Sequence, residues 1–125
     1  MWVKLLYIAV GGALGALARY GLSGVVQRIG GTGFPWGTAV VNVLGCFIFG
    51  VIWSVAANRW TVGGDTRAIL FVGFLGAFTT FSTFVSESGQ LMADGEWLYG
   101  MGNILLQVVA GLGVFFLGMI AGRTI

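Results

Sequence analysis

Four apolar stretches, separated by short polar breaks, make up nearly all of this 125-residue chain. They cover about residues 5–26, 37–57, 68–92 and 97–121. Each is close to the roughly 20 residues that a helix needs to cross the hydrocarbon core of a membrane. Because lipid offers no hydrogen bonds to the backbone, a spanning segment of this kind must be helical or part of a closed barrel. The pattern predicts an all-α membrane protein with four transmembrane helices, forming a single domain over residues 1–125.

The charge content supports lipid as the solvent for most of the chain. Charged residues make up 8% of the sequence and apolar residues 58%, whereas a soluble domain carries about 25% charged residues. The net charge of +2 is too small to indicate a nucleic-acid partner. Aromatic residues near the ends of the apolar stretches are typical of interfacial belts. They are Trp2, Tyr7, Trp36, Trp53, Trp60, Trp97 and Tyr99.

Catalysis is disfavoured because the usual groups are missing from the sequence. There is no histidine to act as a base, and Ser82 has no activating partner beside it in sequence. Cys46 is the single cysteine, so neither a disulfide framework nor a cysteine metal cluster is available. We interpret Cys46 as a small buried apolar residue, and the chain as a protein that is not an enzyme.

The charges at the ends of the four spans give an orientation. One side would hold four basic residues and a single acid. The other would hold one basic residue with two acids, and Arg19 lies within the first span nearer that side. The first set is Lys4, Arg59, Arg67, Arg123 and Asp65, and the second is Arg28, Asp94 and Glu96. The positive-inside rule then places both termini in the cytoplasm. An alternative is a secretory signal ending at Ala18, which would leave three spans.

Glycines within the apolar stretches predict closely packed helices. Gly11 and Gly15 form a small-xxx-small pair, and so do Gly118 and Gly122. In lipid, such pairs let two helix backbones approach each other closely. Most of these contacts are expected within one chain. Because four thin helices enclose little interior, we also expect the polar part of the bundle to face a second subunit.

Hydroxyl groups are concentrated in the middle of the third stretch, at Thr79, Thr80, Ser82 and Thr83. A single Ser or Thr in a membrane helix usually bonds back to its own backbone. Four within five residues, preceded by two glycines, instead indicate a helix that opens at mid-membrane. Free carbonyl groups at that depth must be buried in protein or line a cavity, and broken helices of this kind bind ions. This cluster predicts an ion pathway.

Phe81, Phe84, Asn42 and Thr38 are the side chains best suited to an anion in such a pathway. Phe81 and Phe84 are three residues apart and share a helical face, and the edge of a phenyl ring is positive. Asn42 and Thr38 are one turn apart in the second stretch, and both carry hydrogen-bond donors. An interhelical hydrogen bond is the alternative explanation for Asn42.

Four other polar residues lie within the spans. Arg19 either extends to the membrane interface or forms a vestibule charge that attracts anions. Glu87 is the acid expected to need a partner or water, and Arg19 is a candidate partner. Gln107 and Asn103 in the fourth stretch are predicted to bond to other helices rather than to a permeant ion.

Residues 73–84, with the sequence GFLGAFTTFSTF, resemble the motif of the CrcB/Fluc fluoride channels. Residues 11–20 resemble the first helix of that family, and residues 35–45 resemble the second. The resemblance therefore covers nearly the whole chain in length, segment order and motif. It implies a fluoride-selective channel that exports fluoride passively from the microbial cytoplasm across the cytoplasmic membrane.

The same resemblance implies an antiparallel homodimer with two pores and a third helix broken at mid-membrane. A structural sodium ion would be held at the dimer centre by backbone carbonyls, which fall on Gly76 and Thr79. Phe81 and Phe84 would face fluoride, and Asn42 would line the pore. The remaining matches are the hydroxyl groups of Ser82 and Thr83, the first-helix arginine Arg19 and the acid Glu87.

Two departures from the family pattern accompany this resemblance. The fourth-helix serine of related chains is missing, and its position falls near Leu112. The bias of basic residues to one side also exceeds what insertion in both orientations would favour.

A small multidrug-type proton antiporter is the alternative function, but it would need an acid in the first span, where this chain has Arg19. A non-transporting assembly subunit is a third hypothesis.

Overall fold

The computed structural model describes residues 1–58 and 63–125. Four helical spans in it are long and apolar enough to cross a membrane: Trp2–Gly30, Trp36–Asn58, Gly64–Ala93 and Trp97–Thr124. The chain is thus a multi-pass, all-α membrane protein, as its hydropathy predicted. Arg59 was counted among the charges at the ends of the spans, and Trp60 among the interfacial aromatic residues. Both lie outside the described residues.

We label the first helix α1 (Trp2–Gly30) and the second α2 (Trp36–Asn58). The third span comprises α3, over residues 64–78, and α4 (Phe81–Ala93). The fourth span is α5 (Trp97–Thr124). Wider π-type turns occupy Ala68–Leu75 in α3 and Leu106–Ala110 in α5.

The backbone leaves helical geometry between α3 and α4. Thr79 has φ −89° and ψ 159°, and Thr80 has φ −150° and ψ 116°, both in the extended region. Phe81 starts a new helix of 13 residues. The two extended residues lie near the middle of the third span, within the predicted hydroxyl cluster.

Glycines set the closest helix contacts, as their spacing predicted. A Cβ atom added at Gly50 of α2 would lie 2.2 Å from the carbonyl oxygen of Phe115 in α5. One added at Gly118 of α5 would lie 2.2 Å from the carbonyl oxygen of Phe47. Only hydrogen at these positions permits this approach, so α2 and α5 form a tight pair. Gly15 makes the same kind of contact between α1 and α3.

The connections between helices are short and held by specific bonds. Gln27 donates to the carbonyl oxygens of Gly31 and Phe34, and accepts from the Gly37 amide at 3.0 Å. At the other end of the bundle, Lys4 Nζ lies 2.8 Å from a carboxylate oxygen of Asp65. This ion pair joins the starts of α1 and α3, which agrees with the predicted side of both charges.

The polar segment before the third span is shorter than the sequence suggested. Asp65, Thr66 and Arg67 were expected in a loop, but they belong to the first turn of α3. Arg67 donates to the carbonyl oxygen of Ala56 at 3.0 Å. That hydrogen bond ties the start of α3 to the last turns of α2. The loop Asp94–Glu96 is a tight turn, with Gly95 at φ 84°.

Candidate functional site

Asn42 of α2 holds the extended backbone between α3 and α4. The N–H of Thr80 donates to Asn42 Oδ1 at 2.8 Å, and Asn42 Nδ2 donates to the carbonyl oxygen of Thr80 at 3.0 Å. One side-chain amide thus pairs with both polar groups of a residue that has left the helix. Since unpaired backbone groups are costly in a membrane, Asn42 is what makes the interruption tolerable.

The hydroxyl groups of the cluster have distinct partners. Thr79 Oγ1 donates to the carbonyl oxygen of Leu75 at 3.0 Å, the local bond common for threonine in membrane helices. Thr80 is the N-cap of α4, because its Oγ1 accepts from the Thr83 amide at 3.4 Å. Its hydroxyl also donates to Thr83 Oγ1 at 3.0 Å. Ser82 is exposed on the surface of the single chain.

Gly76 and Thr79 carry two carbonyl oxygens at the junction of α3 and α4. Within residues 1–58 and 63–125, neither oxygen accepts a hydrogen bond from the protein. Gly76 is exposed and Thr79 is half-buried. Among the same residues, no group of three or more His, Cys, Asp or Glu side chains could hold a metal ion. A cation here would therefore depend on backbone oxygens, which suit a hard ion.

Phe81 and Phe84 lie side by side at the start of α4. Their ring centroids are 5.7 Å apart, with an angle of 52° between the ring planes. The Phe81 side chain is 77% exposed, whereas that of Phe84 is 8% exposed. The prediction that both rings share one helical face is confirmed, but only Phe84 is enclosed by the single chain.

Both rings line a pocket of about 610 Å³ between α2, α4 and α5. Most of its wall is apolar, and its polar part comes from amides and from the extended backbone. Among the described residues, no Asp, Glu, Lys or Arg lines it. The other lining residues are Asn42, Gly45, Cys46, Phe49, Thr79, Thr80, Gln107, Val108, Gly111, Leu112, Phe115 and Phe116.

Thr38 and Glu87 form a separate pair near this pocket. Thr38 Oγ1 donates to Glu87 Oε1 at 2.8 Å, a contact that the sequence did not suggest. The other carboxylate oxygen, Glu87 Oε2, is buried and has no hydrogen-bond partner within residues 1–58 and 63–125, and the same holds for Arg19 Nε. Arg19 and Glu87 are not among the ion pairs within 4.0 Å in the described part of the chain.

The fourth span contributes two amides to the interior. Asn103 is fully buried and Gln107 is 8% exposed. Gln107 Oε1 accepts from Asn42 Nδ2 at 2.7 Å, and Asn103 Nδ2 donates to Ser88 Oγ at 2.9 Å. The prediction that these amides bond to other helices is confirmed. Sequence reasoning missed that Gln107 also lines the pocket.

A profile of the family described as "CrcB-like protein, Camphor Resistance (CrcB)" matches residues 6–119. The chain belongs to the CrcB family. Curated relatives named "Fluoride-specific ion channel FluC" include those of Solidesulfovibrio magneticus and Nitrosococcus oceani. Each is 50% identical over 125 residues, covering 100% of both chains. The relative of the same name from Desulforapulum autotrophicum is 49% identical over 122 residues, covering 98% of each chain.

In this CrcB protein the pocket wall near Leu112, where the resemblance led us to expect a serine, is apolar. Leu112, the residue nearest to the expected position, lines the pocket and is 57% exposed. Gln107 lies about one and a half turns earlier on the same helix and lines the same pocket. The fourth span therefore still offers a polar group there, as an amide rather than a hydroxyl.

We predict that Asn42→Ala destabilises the protein through the extended segment. The substitution leaves both backbone groups of Thr80 unpaired, at a cost of about 1–3 kcal/mol for each buried group. The melting temperature in detergent should fall by several degrees, and the Thr80 amide should exchange faster with deuterium. Asn58→Ala is the matched control, since among the described residues the Asn58 side chain bonds only to Ser54, in the last turn of α2. Equal losses in both variants would refute the role given to Asn42.

Proposed function

We propose that this protein is a fluoride-selective channel through which fluoride leaves the bacterial cytoplasm passively across the cytoplasmic membrane. The observation that carries the proposal is the Phe81–Phe84 pair beside the amides of Asn42 and Gln107 in one pocket. Relatives about half identical over the full chain bear the name of a fluoride-specific channel, which agrees with a transport protein rather than an enzyme.

The chemistry of the pocket suits a small anion in transit. Ring edges and N–H groups present positive charge, and the lining has no ionised side chain. A fixed positive charge would hold the ion too tightly, since conduction needs binding weak enough for release. Partial charges can instead replace part of the hydration shell of fluoride without trapping it.

The path continues beyond the pocket along the hydroxyl groups of Ser82 and Thr83, and it passes Thr38, whose hydroxyl hydrogen is donated to Glu87. Arg19 and Glu87 would act near its entrance. Arg19 attracts the anion, and its unpartnered Nε supports this role. Glu87 holds the Thr38 hydroxyl in place through the 2.8 Å hydrogen bond.

An antiparallel homodimer, inserted in both orientations, completes the pathway in this proposal. Phe81 is 77% exposed although it is assigned to the path, so the single chain leaves one wall of the pore open. A second copy would close it. The interruption at Thr79 and Thr80 then serves as the mid-membrane break of the third helix, placed where the two copies meet.

A structural sodium ion at the dimer centre is part of the proposal. The free carbonyl oxygens of Gly76 and Thr79 are suitable ligands, and the extended backbone at Thr79 accounts for their availability. Two copies would together supply four such oxygens. The ion would offset the repulsion between these carbonyl dipoles and join the subunits.

Neither rival function gains support from the described residues. A small multidrug-type proton antiporter needs an acid in its first span, and α1 contains Arg19 but no Asp or Glu. A non-transporting subunit would leave the amide-lined pocket without a purpose. The relatives named as channels also oppose both alternatives.

We expect the purified protein in liposomes to release trapped fluoride and to retain chloride. Fluoride is the smaller ion and forms stronger hydrogen bonds with the N–H donors of the pocket. A fluoride-selective and a chloride-selective electrode would record efflux from vesicles loaded with both ions. Equal efflux of the two ions would refute selectivity, and no efflux of either would refute the channel.

Phe81→Ile should abolish fluoride efflux while leaving the assembly intact. The substitution roughly keeps the apolar volume but removes the positive ring edge. Efflux from liposomes gives the activity, and size-exclusion chromatography gives the assembly state. Phe34→Ile is a matched control, because Phe34 packs against Trp36 and is not among the described residues that line the pocket. Normal efflux through Phe81→Ile would refute the role of that ring.

Sodium should favour the dimer over the monomer. With N-methyl-D-glucamine as the only cation, the carbonyl oxygens of the two subunits would face each other uncompensated. We expect the dimer to dissociate at higher protein concentration in that buffer than in sodium chloride. Single-molecule subunit counting at a series of dilutions measures the difference. Identical dissociation curves in the two buffers would contradict the sodium site.

A further inference from the structure

The amides around the pocket form a hydrogen-bonded chain that runs in one direction. It starts at the N–H of Thr80, which donates to Asn42 Oδ1 at 2.8 Å. Asn42 Nδ2 then donates to Gln107 Oε1 at 2.7 Å. Gln107 Nε2 in turn donates to Asn103 Oδ1 at 2.8 Å. Three amides on two helices are thus linked head to tail.

The chain ends on the helix that carries the phenylalanine rings. Asn103 Nδ2 donates to Ser88 Oγ at 2.9 Å, and the Ser88 hydroxyl donates to the carbonyl oxygen of Phe84 at 2.8 Å. A backbone N–H can only donate and a carbonyl can only accept. The two ends therefore fix the direction of every bond between them. If any one of these amides were rotated by 180°, so that its nitrogen and oxygen exchanged places, two donors or two acceptors would face each other.

This fixed direction decides which N–H group is free. Asn42 uses both of its amide hydrogens, one on Gln107 and one on the carbonyl oxygen of Thr80. Gln107 Nε2 carries two hydrogens, and one is used on Asn103. Within residues 1–58 and 63–125, the second has no protein acceptor.

The location of Gln107 makes that free N–H available to a ligand. Gln107 is 8% exposed and lines the same pocket as Phe81 and Phe84. A buried N–H without an acceptor is unfavourable, so an anion in the pocket would relieve that cost. The hydrogen bonds of Gln107 to Asn42 and Asn103 prevent its amide from rotating to exchange Nε2 and Oε1.

We infer that Gln107 donates a hydrogen bond to the anion in the pocket, and that Asn103 and Ser88 are positioning residues that fix the direction of its amide. The inference rests on the proposed fluoride channel and adds a fourth-span ligand to it. It also accounts for the missing fourth-helix hydroxyl near Leu112, since an amide donor on the same helix takes its place.

The test measures how efflux from liposomes depends on fluoride concentration. Gln107→Leu removes the donor, so we expect the half-saturating fluoride concentration to rise about 10- to 100-fold, the effect of losing one hydrogen bond to a charged partner. Gln90→Leu is the matched control. Gln90 is exposed on α4, and within residues 1–58 and 63–125 its side chain bonds only to Asp94. The half-saturating concentration of this variant should therefore match that of the unmodified protein.

Asn103→Leu tests the positioning role separately. It removes the acceptor for Gln107 but leaves the donating amide, so the half-saturating concentration should rise less than in Gln107→Leu. Adding Asn103→Leu to Gln107→Leu should cause no further rise, because both act on the same hydrogen bond. A change confined to the maximal rate, or additive changes in the double variant, would overturn the inference.

Failure of this inference is distinguishable from failure of the proposed function. No fluoride efflux from vesicles with the unmodified protein would refute the channel itself. Normal half-saturation in an intact Gln107→Leu assembly would refute only the role of Gln107. Gln107→Met, whose unbranched side chain has a similar volume, repeats the test if the leucine variant does not fold. Loss of folding in both variants would show a structural role and overturn the inference.

Discussion

The paired hydrogen bonds between the Asn42 amide and the Thr80 backbone are the interaction on which the rest of the site depends. They satisfy a residue that has left helical geometry within an apolar span. Without them, the third span would have to remain helical or expose unpaired backbone to lipid, which is costly. Among the described residues, the interruption leaves the carbonyl oxygens of Gly76 and Thr79 without a hydrogen bond, and it starts a new helix at Phe81. These two oxygens and the Phe81 ring thus owe their positions to the same interruption.

Close helix packing brings the amides together. Because Gly50 and Gly118 carry no side chain, the backbones of α2 and α5 lie in direct contact. That approach puts Gln107 within hydrogen-bond distance of Asn42. Side-chain amides in an apolar environment are costly unless each donor and acceptor is paired. The glycine contacts and the hydrogen bonds between the amides therefore depend on each other, although the residues that make them are far apart in sequence.

Sequence reasoning was most successful where the signal is local. Hydropathy and length located all four spans, and the three-residue spacing correctly placed Phe81 and Phe84 on one face. It was least successful for contacts between helices. The bond from Thr38 to Glu87 and the place of Gln107 in the pocket were not predicted. The spacing of Asn103 and Gln107, one turn apart in an apolar span, indicates a shared polar face. It does not predict which residues of the other helices bond to them.

The sequence alone determined that the chain spans a membrane four times and that hydroxyl residues are concentrated in the middle of its third span. Both follow from the composition of short segments, because transfer into lipid and helix formation depend on neighbouring residues. Only the tertiary structure decided that Asn42 donates its amide hydrogens to Thr80 and Gln107, and that one N–H of Gln107 has no acceptor among the described residues. An amide can donate or accept in many geometries, so its actual partners depend on which helices lie beside it and on the fixed direction of the backbone groups at the ends of the chain.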